Sequence, residues 1–227
     1  MSNPAALLAL LQLSSPALPI GGFSYSQGLE AAVAANSVTD ELSLCQWMLD
    51  GMNHYFGRLE LPVWCLQYKA WDCGDSEGAL ARDVWFRSTR ESEELLLETQ
   101  QMGWSVLQLM KDTPHAKDLR WQSLLSARPI ALPTAMSAYA QAESIAMHDG
   151  ALAYAFAWVE AQAAAGGKAI PLGQAAIQRV LRACRAACVQ MVPLACAMQD
   201  ADLQTFSPGL GILSSAHETQ YTRLFRS

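Results

Sequence analysis

Apolar residues recur at intervals of three and four wherever this sequence shows a readable pattern. Such stripes run from Leu42 to Phe56, from Leu95 to Leu109 and from Ile177 to Val192. Because an α-helix completes a turn about every 3.6 residues, this spacing predicts amphipathic helices with one buried face. Neither a sustained alternation of period two nor an Asn-Gly hairpin signal occurs. The sequence therefore predicts an all-α fold.

Proline and glycine signals divide the chain into about ten helical pieces. The predicted breaks fall at Pro62, Cys73-Gly74-Asp75, Thr113-Pro114, Arg128-Pro129, Asp149-Gly150, Gly166-Gly167 to Pro171, and Ser207-Pro208-Gly209. No Ser-rich or Gly-rich linker separates two parts, and no repeat of fixed period is apparent. Residues 1–227 are thus predicted to form one domain, a bundle of about ten helices.

The charge balance argues against nucleic-acid binding. The formal net charge is −6, and the only regular basic stripe, formed by Arg179, Arg182 and Arg185, has the spacing of a solvated helix face. Charged residues make up 16% of the chain and hydrophobic residues 52%. Either the surface carries apolar area that binds a partner, or alanine-rich core helices raise the hydrophobic fraction.

Targeting and membrane signals are absent. No run of about 18 consecutive apolar residues occurs, and no basic region precedes the apolar stretch Leu7–Leu13, so we expect a cytoplasmic protein without a membrane span. The six cysteines are expected to be reduced. Cys184 and Cys188 continue an apolar helix stripe, which favours a core position over a soft-metal site.

Motifs of catalysis and metal binding are also missing. The sequence has no phosphate-binding loop, no dinucleotide fingerprint and no serine nucleophile elbow. The histidines are scattered without paired-ligand spacing. Glu91, Glu93 and Glu94, next to Arg87 and Arg90, are interpreted as a helix surface with local ion pairs. We therefore predict a protein that is not an enzyme, with no catalytic residue and no metal site.

A loop rich in proline and glycine follows the first predicted helix. Pro16 and Pro19 end the helix Leu7–Leu13, and Gly21 and Gly22 allow backbone conformations that a side chain would block. A new helix is predicted from Ser24 to Ala35. Its apolar side would carry Phe23, Leu29 and Val33, and its mixed aromatic and polar side Tyr25, Gln27 and Glu30.

Residues 208–227, hereafter the tail, carry signals of a short helix. Ser215 and Glu218 have capping-box spacing. Tyr221, Leu224 and Phe225 recur on one predicted helix face, with Arg223 and Arg226 in the last turn. Because so short a helix is marginal alone, it must dock, either on its own bundle or on a partner.

Several strings closely resemble sequence blocks of the UreF family of urease accessory proteins. The longest is Leu-Pro-Ile-Gly-Gly-Phe-Ser-Tyr-Ser-Gln-Gly-Leu-Glu at residues 18–30, and the tail string at residues 217–227 resembles the terminal motif of that family. Between them, Thr89-Arg90-Glu91 with Leu95, residues 130–133 and residues 170–174 resemble further blocks in the expected order. The resemblance spans essentially the full chain and departs from the family at Gly166-Gly167.

This resemblance implies an adaptor in urease maturation. The protein would bridge the UreD/UreH accessory protein and the UreG GTPase so that nickel enters apo-urease, while those partners handle nickel and GTP. A homodimer is also implied. We predict that residues 1–22 and 208–227 become ordered when partners bind. The predicted partner-binding residues are Pro19, Gly21, Gly22, Phe23, Tyr25, Gly28, Glu30, His217, Glu218, Tyr221, Arg223, Leu224, Phe225 and Arg226.

Three alternatives remain open at this stage. The first is an activator of GTP hydrolysis by the partner, with Arg223 or Arg226 as an arginine finger that neutralises charge on the transferring phosphoryl group. The second is a stand-alone helical enzyme, against which the missing motifs argue. The third is a nickel carrier, for which the scattered histidines and cysteines give little support.

Overall fold

The computed structural model describes residues 3–227 and contains only helices and connecting loops over that range, which confirms the all-α prediction. The first two residues of the predicted N-terminal segment lie outside the described residues. The α-helices are α1 (Pro4–Leu13), α2 (Leu29–Ala34), α3 (Glu41–Gly51), α4 (Leu61–Cys73), α5 (Ser76–Ser88), α6 (Glu93–Lys111), α7 (Gln122–Ser126), α8 (Leu132–Ala142), α9 (Met147–Ala169), α10 (Gln174–Ala197) and α11 (Pro208–Glu218). A π-helix spans Met52–Glu60, and short 3₁₀ helices span Gly22–Ser24, Pro114–Lys117, Leu119–Trp121 and Asp200–Asp202.

The bundle is built around two packed layers. Helix α8 packs against both α4 and α6, and α10 packs along α9 and also contacts α3 and α4. Aromatic rings join these layers, since Tyr154 stacks on Trp64 and on Phe56 with ring centroids 6.0 Å and 5.8 Å apart. Trp64 and Phe56 are fully buried, so their rings supply much of the apolar area that stabilises the bundle.

The break predicted at Asp149-Gly150 is wrong, because Gly150 lies inside α9, whereas the break predicted over Gly166-Gly167 to Pro171 is found in the second half of that range, after Ala169. A Cβ atom at Gly150 would lie 2.7 Å from the Trp64 ring, and one at Gly166 would lie 2.5 Å from Leu44. These glycines therefore permit close helix packing, and α9 ends only at Ala169. The departure from the family at Gly166-Gly167 coincides with this contact.

The break predicted at Pro62 is also wrong. The chain runs from α3 through the π-helix into α4 without a loop. Pro62 lies in the first turn of α4, and at that position of a helix proline is tolerated.

Both short helices predicted near the sequence blocks begin elsewhere. In the first, Gln27 and Gly28 adopt positive φ angles of 51° and 80°, so α2 starts only at Leu29. In the second, α11 starts at Pro208 and ends at Glu218, and the residues after Thr219 are not helical. Tyr221 and Phe225 thus do not share a helix face, and the arginines do not lie in a last turn.

Helix α10 carries two features that the sequence predicts correctly. Arg179, Arg182 and Arg185 are exposed, whereas Cys184 and Cys188 are buried in the core. Among the described residues, α10 is the one helix long and apolar enough to cross a membrane when judged by length and composition alone. One helix of this length and hydropathy gives little support for a membrane span, because the core helices of soluble proteins are often equally long and apolar.

Candidate functional site: the junction of the tail with residues 23–30

The structure brings the two longest sequence blocks together. The backbone N–H of Ser26 donates to the carbonyl oxygen of Ser227 at 2.6 Å, and the N–H of Arg226 donates to the carbonyl oxygen of Ser24 at 2.8 Å. Helix α11 packs on α2 and on the start of α6. We call this contact region, formed by residues 23–30, the start of α6 and residues 214–227, the junction.

The carboxylate of Glu30 holds the tail backbone. Its Oε1 accepts a hydrogen bond from the N–H of Leu224 at 2.8 Å, and its Oε2 accepts one from the N–H of Phe225 at 3.0 Å. Only 7% of Glu30 is exposed, so in this fold its carboxylate holds the tail, and its role in partner binding stays a prediction. A buried carboxylate needs such donors, because its desolvation is otherwise uncompensated.

His217 links Glu30 to a second carboxylate, that of Glu94. Nε2 of His217 lies 3.1 Å from Oε2 of Glu30, and Nδ1 lies 2.7 Å from Oε2 of Glu94. The imidazole is fully buried. Each ring nitrogen thus faces a carboxylate oxygen, and a neutral imidazole, which carries one N–H, can donate to only one of the two.

The start of α6 forms the floor of the junction. The Glu218 carboxylate accepts a hydrogen bond from the N–H of Glu93 at 2.9 Å, which satisfies a free donor at the positive end of that helix. Glu94 also pairs with Arg223, with Nη1 and Oε1 2.6 Å apart. The interpretation of residues 91–94 as a solvated ion-pair surface is therefore wrong for Glu94, which is buried against the tail.

The interpretation as a surface with local ion pairs is also wrong for Arg90. Its side chain is 1% exposed, its guanidinium lies 4.3 Å from the centroid of the Phe86 ring, and its Nη1 donates to the Tyr55 hydroxyl at 2.7 Å. The charge also lies 4.0 Å from Glu60. Arg90 is thus part of a buried polar network and not of a surface.

A small cavity lies beneath residues 23–27. Its volume is about 80 Å³, and its walls include the carboxylates of Glu60 and Glu98. Glu98 accepts hydrogen bonds from Gln27 Nε2 at 2.7 Å and from Ser227 Oγ at 2.9 Å. Burial raises the pKa of Glu98 to about 7, and the two hydrogen bonds oppose that rise. Glu98 thus connects residues 23–27, the tail and the core through one titratable group.

The sequence analysis did not identify Glu60 or Glu98, and it assigned Glu94 to a surface. The available signal was a carboxylate within an apolar stripe, since Glu98 lies three residues after Leu95 and four before Met102. A charge at such a position must find buried partners. Those partners lie far away in the sequence, so the spacing alone does not name them.

Several predicted partner-binding residues are buried. Tyr25 is 5% exposed, and its hydroxyl donates to Gln101 Oε1 at 2.9 Å. Gly28 is buried against α11, whereas Phe23 is half-buried. The Phe225 ring faces inward, with Lys168 Nζ 5.5 Å from its centroid. In this fold, Tyr25 and Phe225 act as packing residues.

Other predicted residues face outward. Tyr221 is fully exposed, Leu224 is 66% exposed and the Arg223 side chain is 41% exposed. Pro19, Gly21, Gly22 and Arg226 are exposed or half-buried. We call Tyr221, Arg223 and Leu224 the outer tail residues. Their apolar and cationic side chains give a surface suited to protein contact.

No group of three or more His, Cys, Asp or Glu side chains in residues 3–227 has the arrangement of a metal site. The prediction that the chain binds no metal tightly stays a prediction.

The sequence was also compared with known proteins. The UreF family model matches residues 38–185. A relative from Ralstonia pickettii named Urease accessory protein UreF is 49% identical over 230 residues, with 100% of both chains covered. The chain belongs to the UreF family of urease accessory proteins. Proteins also named Urease accessory protein UreF, from Cupriavidus necator and Cupriavidus metallidurans, are 46% and 47% identical, and the alignments cover 100% and 97% of both chains.

Membership of the UreF family implies a role in urease maturation. The family consists of accessory proteins and not of catalytic enzymes. The UreF model match includes the start of α6 but not residues 23–30 or 214–227, whereas the Ralstonia pickettii relative matches over its full length. The junction therefore lies within the part of the chain that aligns with whole UreF proteins.

Proposed function

We propose that this chain is an adaptor that bridges a UreD/UreH-type accessory protein and a UreG-type GTPase, so that nickel is inserted into apo-urease. It works in the cytoplasm as a homodimer and binds neither nucleic acid nor membrane. It performs no catalysis, and its partners handle nickel and GTP. The tail and residues 1–22 gain further order when the partners bind.

The observation that carries this proposal is the contrast between the two sides of the tail. On the inner side, Glu30 and Glu94 hold the tail through buried hydrogen bonds. On the outer side, Tyr221 and Leu224 are exposed. The buried bonds fix the inner side of the tail, so that its outer side chains are the part that gains order on binding, and the exposed aromatic and aliphatic groups supply the contact area.

The test is an assembly experiment with purified partners. We expect a UreD/UreH-type protein on a resin to retain the UreG-type GTPase only when this chain is added. Retention of the GTPase in the absence of this chain contradicts the bridging role. Calorimetry is expected to detect no tight nickel binding by the isolated chain, and one strong site per protomer would overturn that part of the proposal.

A GTPase assay on the same complex separates the adaptor from an activator. Arg223 already neutralises Glu94 at 2.6 Å, so a role as an arginine finger would require this pair to break. Arg226, the second candidate, is exposed. For an adaptor, Arg226→Ala leaves the rate of hydrolysis in the assembled complex unchanged. For an activator, the same variant assembles normally and hydrolyses GTP more slowly.

A further inference from the structure

Two cysteines far apart in the sequence meet between α4 and α10. Sγ of Cys65, in α4, lies 3.2 Å from Sγ of Cys196, in the last turn of α10. The two positions are separated by 131 residues. The sulfur atoms of a disulfide are about 2.05 Å apart. The two Sγ atoms therefore need to approach each other by about 1 Å to reach bonding distance.

The surroundings make the two thiols unequal. Cys65 is fully buried, whereas Cys196 is partly exposed. Lys69, one turn after Cys65 on α4, donates from Nζ to the carbonyl oxygen of Cys196 at 2.8 Å. Its ammonium charge therefore lies beside the more accessible thiol.

The electrostatics follow this asymmetry. The hydrogen bond from Cys65 and the charge of Lys69 lower the pKa of Cys196, against the effect of its partial burial. The hydrogen bond to Cys196 and burial both raise the pKa of Cys65. A thiolate is the reactive form of cysteine, so Cys196 is the nucleophile of the pair and Cys65 the second thiol.

We propose that Cys65 and Cys196 are a redox modification site, at which a hydroperoxide converts the thiol pair into a reversible disulfide between α4 and α10. The Cys196 thiolate attacks one peroxide oxygen, the O–O bond breaks, and the other oxygen takes up a proton and leaves as water or an alcohol. Cys196 is then a sulfenic acid. The Cys65 sulfur attacks the Cys196 sulfur, the S–O bond breaks and water leaves.

Over these two reaction steps the thiols lose two electrons and two protons, and the peroxide is reduced. A dithiol reductant reverses the reaction by thiol–disulfide exchange. Neither cysteine is a predicted partner-binding residue. The redox proposal can therefore be tested independently of the adaptor role.

The test uses the full-length reduced protein and hydrogen peroxide as the probe, with intact-mass and peptide mass spectrometry. We expect a loss of about 2 Da that dithiothreitol restores. Trypsin should yield a linked pair of peptides, residues 59–69 and 186–223. The second peptide also contains Cys188, so Cys188→Ala must keep the link and Cys196→Ala must abolish it. Cys73→Ser, at an exposed cysteine, must keep it as well.

A further variant tests the order of the steps. In Cys65→Ala the sulfenic acid cannot be resolved, so dimedone should label Cys196 in the folded protein and label it far less in the wild type. Circular dichroism before oxidation verifies that each variant is folded. The proposal is overturned if the native wild type gains oxygen without forming the link, or if the link persists in Cys196→Ala.

Discussion

Oε2 of Glu30 lies 3.1 Å from Nε2 of His217, although 187 positions separate the two residues in the sequence. Glu30 belongs to the string at residues 18–30 and His217 to the tail. The contact is buried and includes a second carboxylate, that of Glu94, on the other ring nitrogen. The two strings that resemble the UreF family most closely therefore contact each other in the fold and form one buried polar cluster with Glu94.

Glu30→Gln should loosen the tail. The amide can accept from only one of the backbone N–H groups of Leu224 and Phe225, and its NH₂ group opposes the other donor. We expect a loss of about 3 kcal/mol in the free energy that holds the tail, in the range for a buried charged hydrogen bond. Amide hydrogen exchange at Leu224 and Phe225 should then accelerate about 100-fold.

Glu93→Gln is the control for that experiment, because Glu93 is exposed and its side chain is not part of the junction contacts. Exchange at Leu224 and Phe225 should remain slow in this variant. Equal exchange rates in Glu30→Gln and the wild type would show that the Glu30 carboxylate does not hold the tail.

Glu98 makes stability depend on pH. Its pKa is about 7 in the folded chain, raised from 4.5, so the folded state binds the proton more tightly than the unfolded state. Stability therefore falls as pH rises from about 4.5 to 7, and the full penalty, about 3 kcal/mol, applies above pH 7. Glu98→Gln should remove this penalty.

Urea unfolding of Glu98→Gln and the wild type at pH 5 and pH 8 measures the effect. We expect the stability of the variant relative to the wild type to be about 2 kcal/mol greater at pH 8 than at pH 5. A difference that is the same at both pH values contradicts a proton on Glu98.

Tyr25 should contribute to stability, contrary to the expectation of a surface contact residue. It is 5% exposed, and truncation of a buried aromatic side chain costs about 3–5 kcal/mol. Tyr25→Phe removes only the hydrogen bond to Gln101, worth about 1 kcal/mol. Thermal melts should rank wild type above Tyr25→Phe, and that variant above Tyr25→Ala. A Tyr25→Ala melting temperature equal to that of the wild type would show that Tyr25 does not stabilise the fold and would favour a role in surface contacts.

Arg223→Ala should cost little stability, about 1 kcal/mol, because the side chain is 41% exposed and partly exposed ion pairs contribute weakly. His217 still pairs with Glu94 in this variant. We expect intact helical circular dichroism together with weaker recruitment of the GTPase or of the UreD/UreH-type protein. Normal recruitment with full urease activation in cells would make Arg223 a packing residue only.

The helical spacing predicted the fold well because it reports local burial. The stripe predicted from Leu42 to Phe56 is buried at Met48, Met52 and Phe56, although Leu42 at its start is 79% exposed. Glycine was less informative, because the same residue serves a turn at Gly74 and a close contact with Trp64 at Gly150. Only the tertiary partner distinguishes these two uses.

The residues of the junction were predicted, but their arrangement was not. The sequence blocks name Glu30, His217 and Arg223, whereas the hydrogen bonds join them to Glu94 and to backbone groups far along the chain. Spacing along one helix carries no information on such pairs. For the same reason, exposed and buried members of the tail, such as Leu224 and Phe225, were not distinguished.

In the proposed adaptor role the outer tail residues contact a partner, and the affinity of the UreG-type GTPase for the chain in complex with a UreD/UreH-type protein tests this most directly. Leu224→Ala is compared with Leu119→Ala, a leucine that is 84% exposed outside the tail. We predict that Leu224→Ala weakens GTPase binding at least tenfold, with an unchanged melting temperature, and that Leu119→Ala binds like the wild type. Wild-type affinity in Leu224→Ala combined with Tyr221→Ala would contradict the account.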